Sequence, residues 1–301
     1  MSILAKVRNR LYKLRHPEWG RVVMLHRVVE QRSQLSANKE LEITPDFLEE
    51  TILYYKKKRY EFVSLDEMHS IVTTGQPRKK FICFTFDDGY IDNYEIAYPI
   101  FKKYNCPFSI FIATDFLNGK AHLWWYVLEK VLNNNTEVRL SDGSYYDCST
   151  ALLKDKAFYE IRDKIKQLPT LTLEKEFNSL FAKYDYSFSE LIALFSMTWW
   201  QIEILSGEEL CTIASHTVSH GVLSTMSDVE IRTEVHQSKL LLERFTQKDI
   251  QHFAYPYGAY NDRVIPILKE IGYKTALLAN GGVIREKQNE FKINRYHLRQ
   301  K

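Results

Sequence analysis

The feature that most constrains the fold is an alternation of apolar, strand-like runs with helical segments. Residues 81–86 form an apolar run of mostly aromatic and β-branched residues that ends at Asp87-Asp88-Gly89, a pattern typical of a buried strand followed by a turn. A helix is predicted next, over residues 93–104, and another strand over residues 107–113. Strand, helix and strand in this order predict a parallel sheet with right-handed crossovers.

The two aspartates lie where the first of these strands ends. In α/β architectures ligands bind at the carboxyl edge of the sheet, and a sharp turn at Gly89 can lift both carboxylates into a cleft there. A solvated Asp-Asp-Gly turn explains the same residues equally well. His26 ends another predicted strand, residues 21–26, and so lies at the same edge, although a histidine there is more often structural than catalytic.

The alternation stops between about residues 117 and 206 and then resumes. This stretch contains helical segments and the pairs Trp124-Trp125 and Trp199-Trp200, so we predict a helical insertion over the carboxyl edge of the sheet. The tryptophans could stack on sugar faces, although aromatic residues at helical spacing more often belong to a core. Four more strands are predicted after the insertion, at residues 210–215, 251–255, 273–278 and 291–298.

Composition excludes several classes of protein. The chain has 301 residues, 45% hydrophobic and 26% charged, which allows one sizeable core and is unlike a disordered or fibrous protein. The net charge of +3 is too small to indicate nucleic-acid binding, so we expect no nucleic-acid partner. The four cysteines form no CxxC pair, and nothing in their arrangement requires an oxidising compartment.

The amino-terminal segment combines apolar and basic residues. No run is long enough to span a membrane and the start has no signal-peptide core, so we expect a cytoplasmic protein. Among lysines and arginines, residues 1–16 place five apolar side chains at helical spacing: Ile3, Leu4, Val7, Leu11 and Leu14. This pattern suits an interfacial helix on the inner face of an anionic membrane, although a frayed or core-docked helix explains it too. We therefore separate residues 1–19 from a main domain at 20–301, which the helical insertion at about 117–206 interrupts.

Two histidines and the aspartates can form a metal site. His216 and His220 are four residues apart after a predicted strand, and neutral imidazole is the commonest metal ligand in proteins. With one carboxylate they make a three-ligand site that leaves positions open, which suits zinc hydrolysis and also non-haem iron oxygenases. The second aspartate favours hydrolysis, because a carboxylate beside the attacking water can act as general base.

Three motifs, each after a predicted strand, carry a family resemblance: Thr85-Phe86-Asp87-Asp88-Gly89, Ser215-His216-Thr217-Val218-Ser219-His220 and Phe253-Ala254-Tyr255-Pro256-Tyr257-Gly258. In this order they resemble the polysaccharide deacetylases of the NodB-homology group, carbohydrate esterase family 4. The resemblance implies an α/β fold, a distorted TIM-like (β/α) barrel with fewer than eight strands. It also implies that Asp87 is the general base, that Asp88, His216 and His220 hold the metal, and that the Tyr257 main-chain N–H helps to bind the oxyanion.

The chain departs from the family pattern at two places. Many members have an arginine that orients the catalytic aspartate where this chain has Ala254. Our hypothesis is that Arg295 supplies the guanidinium instead, although it could be a plain salt-bridge partner. The late catalytic histidine of the family best matches His297, so we assign the general acid to His297, with His26 as the alternative. By ligand type the metal is expected to be Zn²⁺, with Co²⁺, Ni²⁺ or Fe²⁺ also compatible.

These residues lead to a functional prediction. We expect a metal-dependent hydrolase that removes N-acetyl groups from an amino sugar. Its substrate would be a glycan, or a lipid-linked glycan intermediate of cell-surface polysaccharide biosynthesis such as lipopolysaccharide or capsule assembly. The alternatives are an O-acetyl esterase, a catalytically impaired carbohydrate-binding protein, which Ala254 motivates, and an iron oxygenase.

Overall fold

The computed structural model describes residues 17–75, 77–169 and 172–300. The segment predicted to contact a membrane, residues 1–16, lies outside the described residues. Within the described part of the chain, no helix is both long enough and apolar enough to cross a bilayer.

The secondary structure alternates as predicted. The strands are β1 (Gly20–Leu25), β2 (Arg27–Val28), β3 (Glu42–Ile43), β4 (Glu61–Phe62), β5 (Phe81–Asp88), β6 (Phe108–Ile112), β7 (Glu137–Arg139), β8 (Tyr145–Asp147), β9 (Cys211–Ser215), β10 (His252–Ala254), β11 (Thr275–Leu277) and β12 (Tyr296–His297). The α-helices are α1 (Ser36–Lys39), α2 (Pro45–Lys57), α3 (Leu65–Thr74), α4 (Tyr98–Lys103), α5 (Thr114–Leu117), α6 (Trp124–Asn134), α7 (Ala151–Ile165), α8 (Leu173–Leu180), α9 (Phe188–Phe195), α10 (Trp199–Gly207), α11 (Asp228–Thr246) and α12 (Val264–Ile271).

The central sheet is parallel and curls towards a barrel. Seven strands follow one another in the order β11-β10-β9-β6-β5-β1-β12, and the short β4 pairs only with the start of β5. An isolated parallel bridge joins Leu277 in β11 to Ile293, just before β12. Because β12 itself pairs with β1, this bridge brings the two ends of the sheet together. The predicted distorted (β/α) barrel with fewer than eight strands is confirmed.

Local sequence signals explain where the helices begin. Thr44 accepts a hydrogen bond from the Phe47 N–H at the start of α2, and reciprocal Ser–Glu capping boxes begin α3 and α11, as their sequences predict. Several strand boundaries differ from the prediction, and the last strand, predicted over residues 291–298, covers only Tyr296–His297. β5 continues through Asp87 and Asp88, because both pair in register with β6.

The insertion between β6 and β9 has a core of its own. Helices α6 to α9 pack around a buried apolar cluster that includes Trp125, Leu128, Phe158 and Phe177. The antiparallel hairpin of β7 and β8 was not predicted, since each strand is only three residues long and largely exposed. Apart from this hairpin, the insertion is helical as expected.

Candidate active site

Asp87 is held by a buried arginine from the far end of the chain. Arg295 Nη1 lies 2.6 Å from Asp87 Oδ1, and Nη2 lies 2.7 Å from Oδ2. The Arg295 Nε donates to the Leu278 carbonyl oxygen at 3.0 Å, which fixes the guanidinium. Burial by itself would raise the pKa of the Asp87 carboxyl, but the Arg295 charge outweighs it and holds that pKa well below its usual range. Asp87 is therefore a carboxylate although it is buried.

Asp88, the next residue, faces two histidines. Its backbone adopts a left-handed conformation, φ 79°, which is uncommon for a residue other than glycine. The Asp88 Oδ1 lies 3.3 Å from His220 Nε2 and 3.7 Å from His216 Nε2. Adjacent carboxylates thus have different partners, a guanidinium for Asp87 and two imidazoles for Asp88.

The imidazoles are oriented as metal ligands require. His216 Nδ1 lies 2.8 Å from the Ala254 carbonyl oxygen, which can only accept a hydrogen bond, so Nδ1 carries the proton and the Nε2 lone pair faces Asp88. Burial lowers the pKa of both His216 and His220, and in His220 the neighbouring His216 adds to this effect. Both rings are therefore neutral, the form that binds metals.

The loop that carries the two histidines is anchored by Glu234 of α11. The Glu234 Oε2 accepts hydrogen bonds from the main-chain N–H groups of Val218, at 3.0 Å, and Ser219, at 2.9 Å. Thr217 Oγ1 accepts another from the His220 N–H at 3.0 Å. Glu234 was not predicted from the sequence. The sequence does contain a hint of its role: Glu234 is an acidic residue next to the buried face of the helix, which is formed by Ile231, Val235 and Ser238.

The chemistry of these donors fits a divalent transition metal. The ligand atoms of Asp88, His216 and His220 lie within 4.8 Å of one another, and no other such group of three occurs among the described residues. The Asp88 Oδ1 is buried without a hydrogen-bond partner. Burial, and then the charge of Asp87, raise the pKa of the Asp88 carboxyl, a cost that a bound cation would offset. One carboxylate oxygen and two imidazole nitrogens also suit such an ion.

Two further histidines lie near Asp87. The ring centroids of His26 and His297 are 5.7 Å apart, and the His26 Nδ1 is buried without a hydrogen-bond partner. Burial lowers the pKa of His26 to about 3 and that of His297 to about 4. Both imidazoles are therefore neutral at neutral pH in the free protein.

Tyr257 lies in the turn after β10, close to the metal ligands. Its ring centroid is 4.7 Å from that of His220, and within the described residues its main-chain N–H has no hydrogen-bond partner. The turn depends on Gly258, whose φ is 67°, because a Cβ there would lie 2.9 Å from the Ala279 Cβ. Because the turn at Gly258 packs closely against Ala279, the direction of the Tyr257 N–H is fixed.

All eight residues named from the sequence meet at one cavity of about 320 Å³: His26, Asp87, Asp88, His216, His220, Tyr257, Arg295 and His297. The insertion covers it with Trp124, Trp125, Phe158, Arg162 and Lys166, among others. The second tryptophan pair lies elsewhere, since Trp199 stacks on Phe245 and Trp200 is 64% exposed. Only the first pair therefore lines this cavity.

Comparisons with known proteins agree with this geometry. The family model described as polysaccharide deacetylase matches residues 74–152 and 192–276, together more than half of the chain. The gap between the two matched parts lies inside the insertion.

Two curated relatives are similar over most of the chain. A putative polysaccharide deacetylase, YxkH of Bacillus subtilis, is 20% identical over 265 residues, 88% of this chain and 68% of the relative. A poly-β-1,6-N-acetyl-D-glucosamine N-deacetylase of Staphylococcus aureus is 22% identical over 263 residues, 86% of this chain and 70% of the relative.

Two solved structures share the fold. The deacetylase PplD of Streptococcus pyogenes, in complex with acetate, has a TM-score of 0.63 at 21% identity, covering 93% of this chain and 92% of that one. IcaB of Ammonifex degensii has a TM-score of 0.63 at 16% identity, with the same coverage.

Proposed function

Because the chain belongs to the polysaccharide deacetylase family, we propose that it is a metal-dependent hydrolase that removes N-acetyl groups from an amino sugar. The observation that carries the proposal is the juxtaposition of two groups with different tasks. Asp88, His216 and His220 converge within 4.8 Å, and next to them Asp87 is kept ionised by Arg295. Metal binding alone does not require the second carboxylate, whereas hydrolysis requires a base.

The residues of the chain divide the reaction among them. When bound at Asp88, His216 and His220, a divalent cation, with Zn²⁺ the first candidate, polarises the acetyl carbonyl and lowers the pKa of the attacking water. Asp87 then accepts the proton of that water, and the Tyr257 N–H donates to the oxygen that becomes negative in the tetrahedral intermediate. The cavity beneath Trp124 and Trp125 holds the sugar and limits access of solvent.

The leaving amine must be protonated before it departs, and we assign this step to His297, with His26 as the alternative. Since both imidazoles are neutral in the free protein, the acid must acquire its proton during the reaction. Asp87 can pass the proton that it takes from the water to the neighbouring imidazole, which then donates it to the amine nitrogen.

The nature of the substrate is supported by the relatives. The Staphylococcus aureus relative is named for N-deacetylation of poly-β-1,6-N-acetyl-D-glucosamine, which favours an N-acetyl over an O-acetyl group and a cell-surface polysaccharide as the product. Arg295 favours the hydrolase over a binding protein, because a guanidinium contacts Asp87 although position 254 is alanine.

Acetate release from a panel of N-acetylated and O-acetylated glycans tests the proposal. We expect the metal-loaded protein to release acetate from N-acetylated sugars and Asp87→Asn to release none while it still binds metal. Asp262→Asn, at a 97% exposed side chain, is the control and should match the wild type. An Asp87→Asn protein with full activity, or release from O-acetyl groups alone, would contradict the proposal.

We also propose that the substrate is lipid-linked and that residues 1–16 bring the protein to the cytoplasmic face of a membrane. The basic and apolar pattern of that segment supports this proposal. The full chain should sediment with vesicles that contain anionic lipid, and a chain beginning at residue 17 should not. Equal sedimentation of the two proteins would refute the role of the segment.

A further inference from the structure

A second cavity adjoins the catalytic one. It has a volume of about 280 Å³ and lies between the insertion and the loop that carries His220. The two cavities share five lining residues: Trp124, Trp125, Lys166, His220 and Tyr257. A substrate whose acetylated sugar occupies the catalytic cavity would therefore place its adjoining unit in the second one.

Lys166 stands at the junction of the two cavities. It follows the last residue of α7, and its ammonium lies 4.6 Å from the centroid of the Tyr257 ring, which in turn contacts His220. Among the described residues no carboxylate oxygen lies within 4.0 Å of the Lys166 ammonium. The charges of Arg162 and Asp163 also act on Lys166, in opposite directions. This half-buried cation is therefore incompletely compensated.

The nearby acidic groups already have partners. Glu234, which lines the second cavity, accepts the N–H groups of the metal-ligand loop. Asp163 pairs with Arg162, one turn before Lys166, and Glu174 pairs with His122 at the far side of the second cavity. Asp115 also lines the second cavity, but it is not among the residues shared with the catalytic one. The protein thus presents the Lys166 charge at the junction, while the acidic side chains of the second cavity lie away from the lining that the two cavities share.

We propose that the second cavity binds the unit next to the acetylated sugar, and that Lys166 selects substrates in which this unit carries an anionic group, a phosphate or a carboxylate. The proposal rests on the proposed deacetylase function. Trp124 and Trp125 line both cavities, although they are largely buried, and their apolar surface there can contact sugar rings of any charge. Lys166 adds the charge discrimination, since a partly desolvated contact between ammonium and anion is stronger than one with a hydroxyl.

Three probes that place a neutral or an anionic unit next to an N-acetylglucosamine test the proposal. They are the disaccharide of two N-acetylglucosamine units, its 1-phosphate, and N-acetylglucosamine linked to glucuronic acid. For the wild type we expect kcat/KM to be at least about tenfold higher for an anionic probe than for the neutral one. The phosphate and carboxylate probes separately show which anion is preferred. Lys166→Met should bring the ratio close to one, and Lys166→Arg should largely keep it.

Lys156→Met is the matched control, because Lys156 lies on the same helix with its side chain 70% exposed; it should behave as the wild type. The thermal unfolding midpoint of each variant is also measured, because a lowered midpoint identifies a variant that only destabilises the end of the helix. A ratio near one in the wild type, or an unchanged ratio in Lys166→Met, would overturn the inference.

A binding measurement separates this inference from the proposed function. With metal-loaded Asp87→Asn, dissociation constants for the three probes should show the same preference without turnover. If no probe releases acetate from the wild type, the deacetylase proposal fails, and the ratio of dissociation constants still decides the role of Lys166. Failure of all three probes to bind would overturn the subsite.

Discussion

The proposed chemistry depends most on one residue, Asp87. Its two contacts with the Arg295 guanidinium are bidentate and buried, an arrangement that orients the carboxylate as well as keeping it ionised. The guanidinium also lies over the Phe111 ring, 5.3 Å from its centroid. Arg295 is therefore a positioning residue, acting on the reaction through Asp87.

Replacing Arg295 with lysine should weaken catalysis more than folding. Lysine keeps the positive charge but loses the planar fork, so Asp87 loses its fixed direction. We expect kcat/KM for acetate release to fall about a hundredfold with metal content unchanged. Arg263→Lys, at a half-exposed arginine paired with Asp228, is the control. Arg295→Lys with wild-type kcat/KM would show that the pair is only structural.

The general acid can be identified by changing the leaving group. If His297 protonates the leaving amine, His297→Gln should lower kcat for an N-acetyl substrate by about 10²–10⁴-fold. It should have little effect on an activated aryl acetate, because a phenolate leaves without a proton. His26→Gln is compared in the same assays. Two outcomes would contradict the assignment of His297 as the general acid. His297→Gln could lose activity on the N-acetyl substrate and on the aryl acetate to the same extent, or His26→Gln could be the variant that loses only the N-acetyl activity.

At the scale of elements, the metal site depends on the contact between α11 and the loop after β9. Both histidines proposed as metal ligands, His216 and His220, lie on this loop. Thr217 and His220 have left-handed backbones, φ 72° and 59°. Glu234 satisfies two of the loop N–H groups and the Ser219 hydroxyl. Helix α11 thus orients ligands that it does not itself supply.

Glu234→Gln tests this contact. The amide oxygen can still accept from both N–H groups, and the NH₂ group can donate to the Ser219 hydroxyl oxygen, but the negative charge that strengthens these hydrogen bonds is lost, so the loop should relax. We expect the metal dissociation constant to rise about 10–100-fold, measured by competition with a chelator, while the circular dichroism spectrum is unchanged. Glu230→Gln, in the exposed capping box of the same helix, should leave metal affinity as it is. Equal affinity of Glu234→Gln and the wild type would refute the contribution of the helix.

At the scale of the whole molecule, Arg27 joins the insertion to the barrel. Its Nε lies 2.8 Å from Asp92 Oδ2 in the barrel, and its Nη1 donates to the Tyr126 hydroxyl of the insertion at 3.1 Å. The guanidinium also lies 4.6 Å from the Phe195 ring centroid. Since Trp124 and Trp125 share a helix with Tyr126, this junction sets how the insertion covers the cavity.

Arg27→Met should therefore be costly for stability. It leaves Asp92 buried without its cation, which typically costs about 3–5 kcal/mol. Chemical denaturation should show this loss, and the double variant Arg27→Met/Asp92→Asn should recover part of it. Arg232→Met removes an exposed pair and should cost less than about 1 kcal/mol. A loss for Arg27→Met no greater than that of the control would contradict the structural account.

How far the sequence predicts this molecule depends on the range of each interaction. The parallel sheet, the capped helices and the order of the three motifs follow from local patterns, and the side chains at strand ends meet because parallel strands share an edge. Arg295 and Asp87 are 208 positions apart, so their contact was only a hypothesis. Tertiary packing determines the contacts of Glu234 and Arg27 and the formation of the short hairpin. The hydrophobic periodicity of a sequence does not predict such packing.

The most direct test of the account is a metal titration of acetate release. Chelator-stripped protein is titrated with Zn²⁺, and in parallel with Co²⁺, Ni²⁺ and Fe²⁺, while bound metal is counted by mass spectrometry. We predict that the stripped protein releases no acetate from an N-acetylated glycan. Activity should return in proportion to bound metal, saturate at one ion per chain, and be absent from His216→Ala. Acetate release that persists after complete metal removal would contradict the account.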